Sequence, residues 1–581
     1  MQSGQDSTQP GVPVDPDDSV PPAGSESGFV SHARVVAGLT FVSRIMGLIR
    51  DAVCSRTFGA GPVWSAFALA FLVPNLFRRL FGEGALSAAF LPAYARLSEK
   101  DQDAARKFAG FILGSVVTFL GVITLLGEGV LWCLLSTMHD TANAAASVAL
   151  LESRRLVVHL LMVMLPYMPL ICLVALLGAM LQVHRKFGPT AAAPIILNVF
   201  IITGAILTAY ESGSSNQFGD GWVRNGIMFV AIGVVTAGVV QVVWSLIALR
   251  RVSRGSYSLD GFADHEARKR GRKLVALLIP MLVGMGALQL NTLLDGLIAS
   301  YPVWAGPKMG GFDYPLDMKS NSILFFSQRL YQFPLGVFGI AVATAIFPAF
   351  ARSASNRNDF TETLREGLRL TMFIGLPASL GLVIVRVPLA TVILRGNHFM
   401  EGDVERVANV LLGYAPAIWA YSLNQVLTRA FYAHDDSKTP VRIALGAIVL
   451  NLILNVMLIW VMGEAGLAWS TSISAVVQSA WLLAMIRRYT GTVVDGAVRK
   501  SIAMILVGTL VMGALSLSAM YGMSMMVDAE GWWGRFILLM VGVGIGTLSY
   551  VIGARVFGME EWGWVLRGRS GKTAELKGDS R

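Results

Sequence analysis

Charge is what this chain has least of. Only 14% of its 581 residues are Asp, Glu, Lys or Arg, against about 25% in soluble domains. That scarcity, with 54% hydrophobic residues and a mean hydropathy of +0.60, excludes an ordinary soluble protein. The short apolar–polar alternation of a membrane barrel is missing too. Cysteine is also rare. Cys54, Cys133 and Cys172 all fall in apolar segments and read as buried packing residues, which excludes a disulfide framework and a cysteine metal site. Of the seven histidines, His159 lies in a span, where a hydrogen-bonded packing role fits. His184, His265, His398 and His434 lie in or near loops. No HExxH, GxxxxGK[ST] or GxSxG pattern occurs, so the sequence predicts no enzyme, metal centre or cofactor. Residues 1–30 lack the basic and apolar regions of a signal peptide and read as a disordered cytoplasmic tail. Residues 561–581 read as a second cytoplasmic tail.

What is present is a succession of long apolar stretches. They predict an all-α polytopic membrane protein, because backbone groups in lipid must be satisfied within each spanning element. About fourteen spans are expected: 33–57, 63–94, 108–136, 155–183, 189–211, 226–250, 274–300, 320–349, 367–394, 405–432, 439–462, 465–487, 499–525 and 534–557. The second and eighth are long enough to bend, at Pro74 and Pro334. The net charge of +10 does not signal nucleic acid, because the basic residues cluster in alternate loops. The loop after the sixth span holds Arg250, Arg251, Arg254, Arg268, Lys269, Arg270, Arg272 and Lys273, whereas the opposite set carries Asp140, Asp220, Asp313, Asp317, Glu401 and Asp403. The positive-inside rule then places both termini in the cytoplasm.

An internal repeat recurs after roughly 250 residues: ALSAAFLPAYARL (85–97) answers AVATAIFPAFARS (341–353), and LQVHRKFGPTAAAPIILNV (181–199) answers FYAHDDSKTPVRIALGAIVLNLILNV (431–456). Both members of each pair meet the membrane with the same sidedness. Two pseudo-symmetric six-helix lobes are therefore expected, with a site at their interface and two extra C-terminal helices. The predicted organisation is an N-lobe over 31–251, a basic cytoplasmic loop over 252–273, a C-lobe over 274–488 and the extra pair over 489–560.

Against this apolar background Arg44, Arg50, Arg78 and Arg329 stand out, each well inside a span. A charge at mid-bilayer costs roughly 2.5–3.5 kcal/mol even on lenient scales, so several such arginines point to a shared polar cavity for an anion. Guanidinium suits phosphate, offering planar, paired donors that stay charged. Arg44 and Asp51 share a helical face, seven residues apart. Arg79 and Glu83 are spaced for an i, i+4 pair, which directs Arg78 rather than Arg79 to the ligand. Arg56 and Arg79 fit snorkelling or pairing better. A second polar cluster is Asp295 with Asn451, Asn455 and Thr471, a candidate cation site for Na+ or H+. The same residue types also serve as interhelical hydrogen-bond glue.

SRIMGLIRDAVCSRTFGAG, FLVPNLFRRLFGEGALSAAFLPAYARL, QRLYQFPLGVFGIAVATAIFPAFAR and LTRAFYAHDDSKTPVRIAL resemble the MurJ (MviN) family of lipid II flippases. That family belongs to a superfamily with multidrug and oligosaccharide-lipid exporters. The resemblance covers about 33–560. It implies a V-shaped cavity between two lobes, and transfer of an undecaprenyl-pyrophosphate-linked peptidoglycan precursor to the outer leaflet by alternating access. It also implies a lipid-tail groove in the two extra helices. Arg44, Arg50, Arg78 and Arg329 match the family's cavity arginines, and Glu83 an acidic residue of the same region. The implied partners are lipid II, membrane lipids and cell-wall synthesis proteins of the bacterial inner membrane. Some relatives carry acids where this chain has Ser65, Gln328 and Gln332, so a more positive cavity is expected here. Asn455 stands where a second carboxylate of the cation site is expected. Another polyprenyl-pyrophosphate sugar exporter, a multidrug exporter and a non-transporting scaffold are the competing readings.

Overall fold

The structure is a computed structural model that describes residues 24–82, 85–138, 145–214, 220–252, 259–336 and 340–567. The first half comprises α1 (Gly24–Phe58), α2 (Pro62–Phe77), α3 (Ala85–Lys100), α4 (Gln102–Thr137), α5 (Ala145–Met164), α6 (Tyr167–Val183), α7 (Gly188–Ser214) and α8 (Asp220–Val252). The second half comprises α9 (His265–Ala299), the short α10 (Tyr301–Trp304), α11 (Ser320–Pro334), α12 (Ile340–Ser353), α13 (Arg357–Leu394), α14 (Glu401–Tyr414), α15 (Ala417–Tyr432), α16 (Lys438–Met462) and α17 (Glu464–Ile486). It is followed by α18 (Gly496–Ser524), α19 (Trp532–Val556) and α20 (Glu560–Arg567). Among the described residues ten helices are long and apolar enough to cross a membrane. This is a multi-pass membrane protein. The other four expected spans coincide with α1, α9, α11–α12 and α14–α15. Of these, α1 carries Arg44, Arg50 and Asp51, and the last two are broken helices.

The halves repeat each other down to their breaks. Pro74 lies inside α2, which passes into a π-helical turn, Arg78–Gly82, before α3; Pro334 ends α11 before α12. Proline lacks the N–H that would close a helical turn, and in both long spans the α-helix ends at or shortly after it. A second pair of breaks was less visible: Pro166 opens α6 and Pro416 opens α15. Arg185 and Asp435, 250 residues apart, then adopt left-handed φ values of 57° and 55°. Each caps its helix in the same way, with Lys186 N–H bonded to Leu181 O and Asp436 N–H to Phe431 O. Non-glycine residues seldom take that conformation, so its recurrence at matching positions marks one structural unit used twice. In the loop between α10 and α11 Lys308–Met309 pairs antiparallel with Phe312–Asp313 around Gly310–Gly311, both at positive φ.

Three expectations need correction. Cys133 is exposed, because its stretch of α4 turns Leu126, Val130, Trp132 and Leu134 outward; Cys54 and Cys172 are buried. His159 is hydrogen-bonded, through Nδ1 to Arg155 O at 2.8 Å, but exposed. The segment taken as the second tail begins with α20, which is docked rather than loose. Glu561 is fully buried and accepts from Arg369 Nε at 2.6 Å and Ser501 Oγ at 2.5 Å, while Arg369 stacks over Trp564. This ties α20 to α13 and α18. Arg369→Leu leaves the Glu561 carboxylate without its cation, which costs about 3–5 kcal/mol for a buried pair. A drop in thermal unfolding temperature of the purified protein is the expected result, larger than for Arg365→Leu at a more exposed pair.

Candidate functional site

A cavity of about 760 Å³ lies between the halves. One stripe of α1 faces it: Thr40, Ser43, Arg44, Gly47, Arg50 and Asp51. The spacing of three and four residues puts these on one helical face, inverted from the usual pattern because the polar side looks inward. Over the eleven steps from Thr40 to Asp51 α1 rises about 16 Å, so the polar wall is deep. Asn75, Arg78 and Arg79 join it from α2 and the π-turn, Asn198 from α7, Gln241 from α8 and Gln289 from α9, with Arg329 and Gln332 from α11 and Gln425 from α15. Five arginines and one carboxylate among the described lining residues leave a strong excess of positive charge.

The structure brings Arg44, Arg50, Asp51, Arg78 and Arg329 together; Glu83 lies outside the described residues. Asp51 is engaged by its neighbour. Arg50 donates to Asp51 Oδ1 from Nε at 2.9 Å and from Nη2 at 2.6 Å, and to Asn198 Oδ1 from Nη1 at 3.0 Å. Arg50 and Asp51 are 9% and 2% exposed, so this pair is a fixed anchor of the wall. Arg78 donates to Asn75 Oδ1 from Nε and Nη2. Arg329 lies 4.9 Å over the Phe325 ring, a cation–π seat. Gly336 makes room for Arg44: a Cβ there would fall 2.0 Å from Arg44 Nη1.

Arg79 lines the cavity and donates to Gln289 Oε1 at 3.1 Å; its expected pair with Glu83 lies outside the described residues. The carboxamides Asn75, Asn198, Gln241, Gln289 and Gln425 were not singled out in the sequence. Uncharged amides in spans resemble packing glue, and only their convergence gives them meaning. Of the three positions that lack an acid, only Gln332 lines the cavity. Gln328 donates to Tyr414 OH, and Ser65 belongs to a contact beyond the cavity.

That contact closes one end. Ser65 Oγ and Ser322 Oγ are 2.8 Å apart, Ser322 N–H donates to Ser65 Oγ, Asn321 Nδ2 to Ser65 O, and Ser322 Oγ to Gly61 O. Both serines are fully buried, and Trp64 stacks on Phe326 beside them. The α1–α2 turn packs tightly on the other half here, since Gly59 (φ +67°) would put a Cβ 2.1 Å from His398 O. Arg56 Nη2 reaches Val392 O, and Arg154 Nη2 reaches Ala305 O at 3.1 Å. Behind the clasp Arg406 grips Asp317 at 2.8 and 3.0 Å and also bonds Glu464. Burial alone would raise the Asp317 carboxyl, but these bonds more than offset it and hold it below the usual range.

The second cluster also assembles. Asp295 Oδ1 accepts from Asn455 Nδ2 at 2.6 Å and Oδ2 from Thr471 Oγ1 at 3.4 Å; Asn455 Nδ2 also bonds Asn451 Oδ1. Ser470, not anticipated, bonds both asparagines. All five are buried. One carboxylate, two amides and two hydroxyls fit a monovalent cation or a proton. The Asn455 amide nitrogen takes the place against Asp295 that a second ligand oxygen would leave open.

The family profile described as "Lipid II flippase MurJ" matches residues 54–542. The chain belongs to this family. It is a family of transporters, not enzymes. A relative from Vibrio cholerae serotype O1, "Probable lipid II flippase MurJ", is 34% identical over 457 residues, covering 77% of this chain and 81% of its own. The fold is similar to the solved "Lipid II flippase MurJ, inward closed conformation", with a TM-score of 0.69 at 22% identity over 90% of this chain and 99% of that one. It is also similar to an inward-facing multidrug resistance MATE family transporter of the MOP superfamily, with a TM-score of 0.58 at 13% identity over 81% and 99%.

Proposed function

We propose that the protein flips lipid II from the inner to the outer leaflet of the bacterial inner membrane by alternating access. The observation that carries this reading, within a family of lipid II flippases, is the cavity that holds five arginines against one carboxylate. The pyrophosphate enters from the cytoplasmic side and is held by Arg44, Arg50, Arg78 and Arg329, with Asp51 and Glu83 tuning their charge. The sugar–peptide headgroup follows into the cavity, where the carboxamides bond it, while the tail stays in lipid along α18–α19. Neutralising the arginines lets the lobes approach on that side, and the serine clasp opens on the other. Both termini are cytoplasmic in this reading, as the loop charges support.

The driving force is the membrane potential or a cation, Na+ or H+, acting at Asp295 with Asn451, Asn455 and Thr471. Each charge crossing the full field is worth about 2.3 kcal/mol per 100 mV, enough to bias a two-state carrier. A multidrug exporter would need a cavity receptive to cations, which the arginines oppose. In proteoliposomes the protein is expected to translocate lipid II, faster with an imposed potential and with Na+ or a proton gradient than without either. Absence of lipid II translocation, with transport of another polyprenyl-pyrophosphate sugar, would sink the assignment.

A further inference from the structure

Arg386 is a further deeply placed span arginine, in FIGLPASLGLVIVRVPLATVIL of α13, and it is not among the cavity's lining residues. It lies eight residues from the Leu394 end of its helix, about 12 Å, too far in to be an end residue. Its guanidinium turns away from that end, because Nη1 donates to Val383 O at 2.6 Å. The side chain therefore does not snorkel towards the nearer surface. Its Nε is buried and has no hydrogen-bond partner. Ser379, seven residues away and so on the same face, also has a buried hydroxyl without a partner. Among the described residues no carboxylate neutralises Arg386.

The face it occupies is informative. Leu380 and Ile384 meet Gly513 of α18, and Val385 meets Gly542 of α19. The residues one turn from Arg386, namely Leu382, Val383, Leu389 and Ala390, belong instead to the core shared with α1. Arg386 thus looks away from α18 and α19, towards the core that α13 shares with both α1 and α14. Arg56 fastens α1 to α13 nearby, its Nη2 reaching Val392 O.

We infer that Arg386 and Ser379 form a second phosphate-binding station, beside the α1–α13 contact, for the phosphate ester of a lipid headgroup. The proposal rests on the flippase reading for one of the two lipids that carry this group: the substrate's pyrophosphate in transit to the arginine cavity, or the phosphate of a resident phospholipid. An intramembrane guanidinium with unsatisfied donors is stable only with an anion or water at hand, and phosphate matches its fork.

The test uses Arg386→Gln, which keeps a donor for Val383 O but no charge, and Arg386→Lys, which keeps the charge. Binding to the full-length protein is measured by native mass spectrometry with lipid II and with phosphatidylglycerol, and flipping in proteoliposomes. Arg386→Gln is expected to weaken one of the two lipids about tenfold, the loss of a charge-assisted hydrogen bond, while Arg386→Lys stays within a few-fold of wild type. Loss of lipid II binding with slowed flipping assigns the substrate; loss of phosphatidylglycerol alone assigns the resident lipid. Wild-type behaviour of Arg386→Gln towards both lipids overturns the proposal. So does equal impairment of the two variants, which marks a purely structural role beside Pro388. Failure of the wild-type protein to flip lipid II would count against the flippase reading alone, since the phosphatidylglycerol arm still tests the station.

Discussion

Arg44→Ala, Arg78→Ala and Arg329→Ala, combined in one chain, should reduce lipid II flipping to background while leaving the protein folded and inserted. A hydrogen bond to a charged group is worth about 1.5–3 kcal/mol, or ten- to a hundredfold in affinity. Three losses at one site therefore exceed the range over which transport can be followed. Arg329→Ala alone should show much of this defect, because it removes the only arginine that the second half contributes to the described cavity wall. Arg50→Ala should differ in kind. Arg50 holds the buried Asp51 and Asn198, so its removal strands a carboxylate and costs about 3–5 kcal/mol of stability. The measurement is growth of cells in which this chain is the only flippase, alongside the amount of protein in the membrane and its unfolding temperature. Growth of the triple variant at normal rates would favour the scaffold reading over transport.

Ser65→Cys with Ser322→Cys should trap the protein with the clasp shut. The two hydroxyl oxygens are 2.8 Å apart, so thiols at the same positions are close enough to join across the halves once modest backbone adjustment satisfies disulfide geometry. Oxidation is expected to stop flipping, by tenfold or more, and reductant to restore it. Each single cysteine should flip normally under both conditions. The native Cys54 and Cys172 are buried and Cys133 is exposed on α4, so the wild-type chain serves as the oxidation control. Full activity of the cross-linked form would show that these helices need not separate for transport, and alternating access around this clasp would be wrong. The serines matter because they replace charge with small hydroxyls. A contact made of neutral hydrogen bonds can break without exposing an unpaired ion, which suits a surface that must part in every cycle.

Much of this was legible in the chain itself, for definite reasons. Apolar length dictates spanning helices, because no other open element satisfies its backbone in lipid. The prolines at 74 and 334 foretell the breaks, since a missing N–H acts locally. The arginines announce themselves by cost. Other features were not legible. The bond from Arg79 to Gln289, 210 residues away, is invisible in the sequence, which shows only its neighbour Glu83. Ser65 looks like a missing cavity charge until the fold places it against Ser322. Cys133 reads as buried by hydropathy, but hydropathy does not distinguish a protein core from a lipid-facing surface. The five carboxamides of the wall are unremarkable one at a time.

The sequence by itself determined the class of the protein, its two-fold repeat, its family and four of the five arginines that line the cavity. Each of these follows from short-range chemistry: transfer cost, helical period and proline. Only the tertiary structure decided which polar groups share a cavity, which pair with one another and which close the end. Such contacts join residues hundreds of positions apart, across helices whose mutual rotation no local pattern encodes.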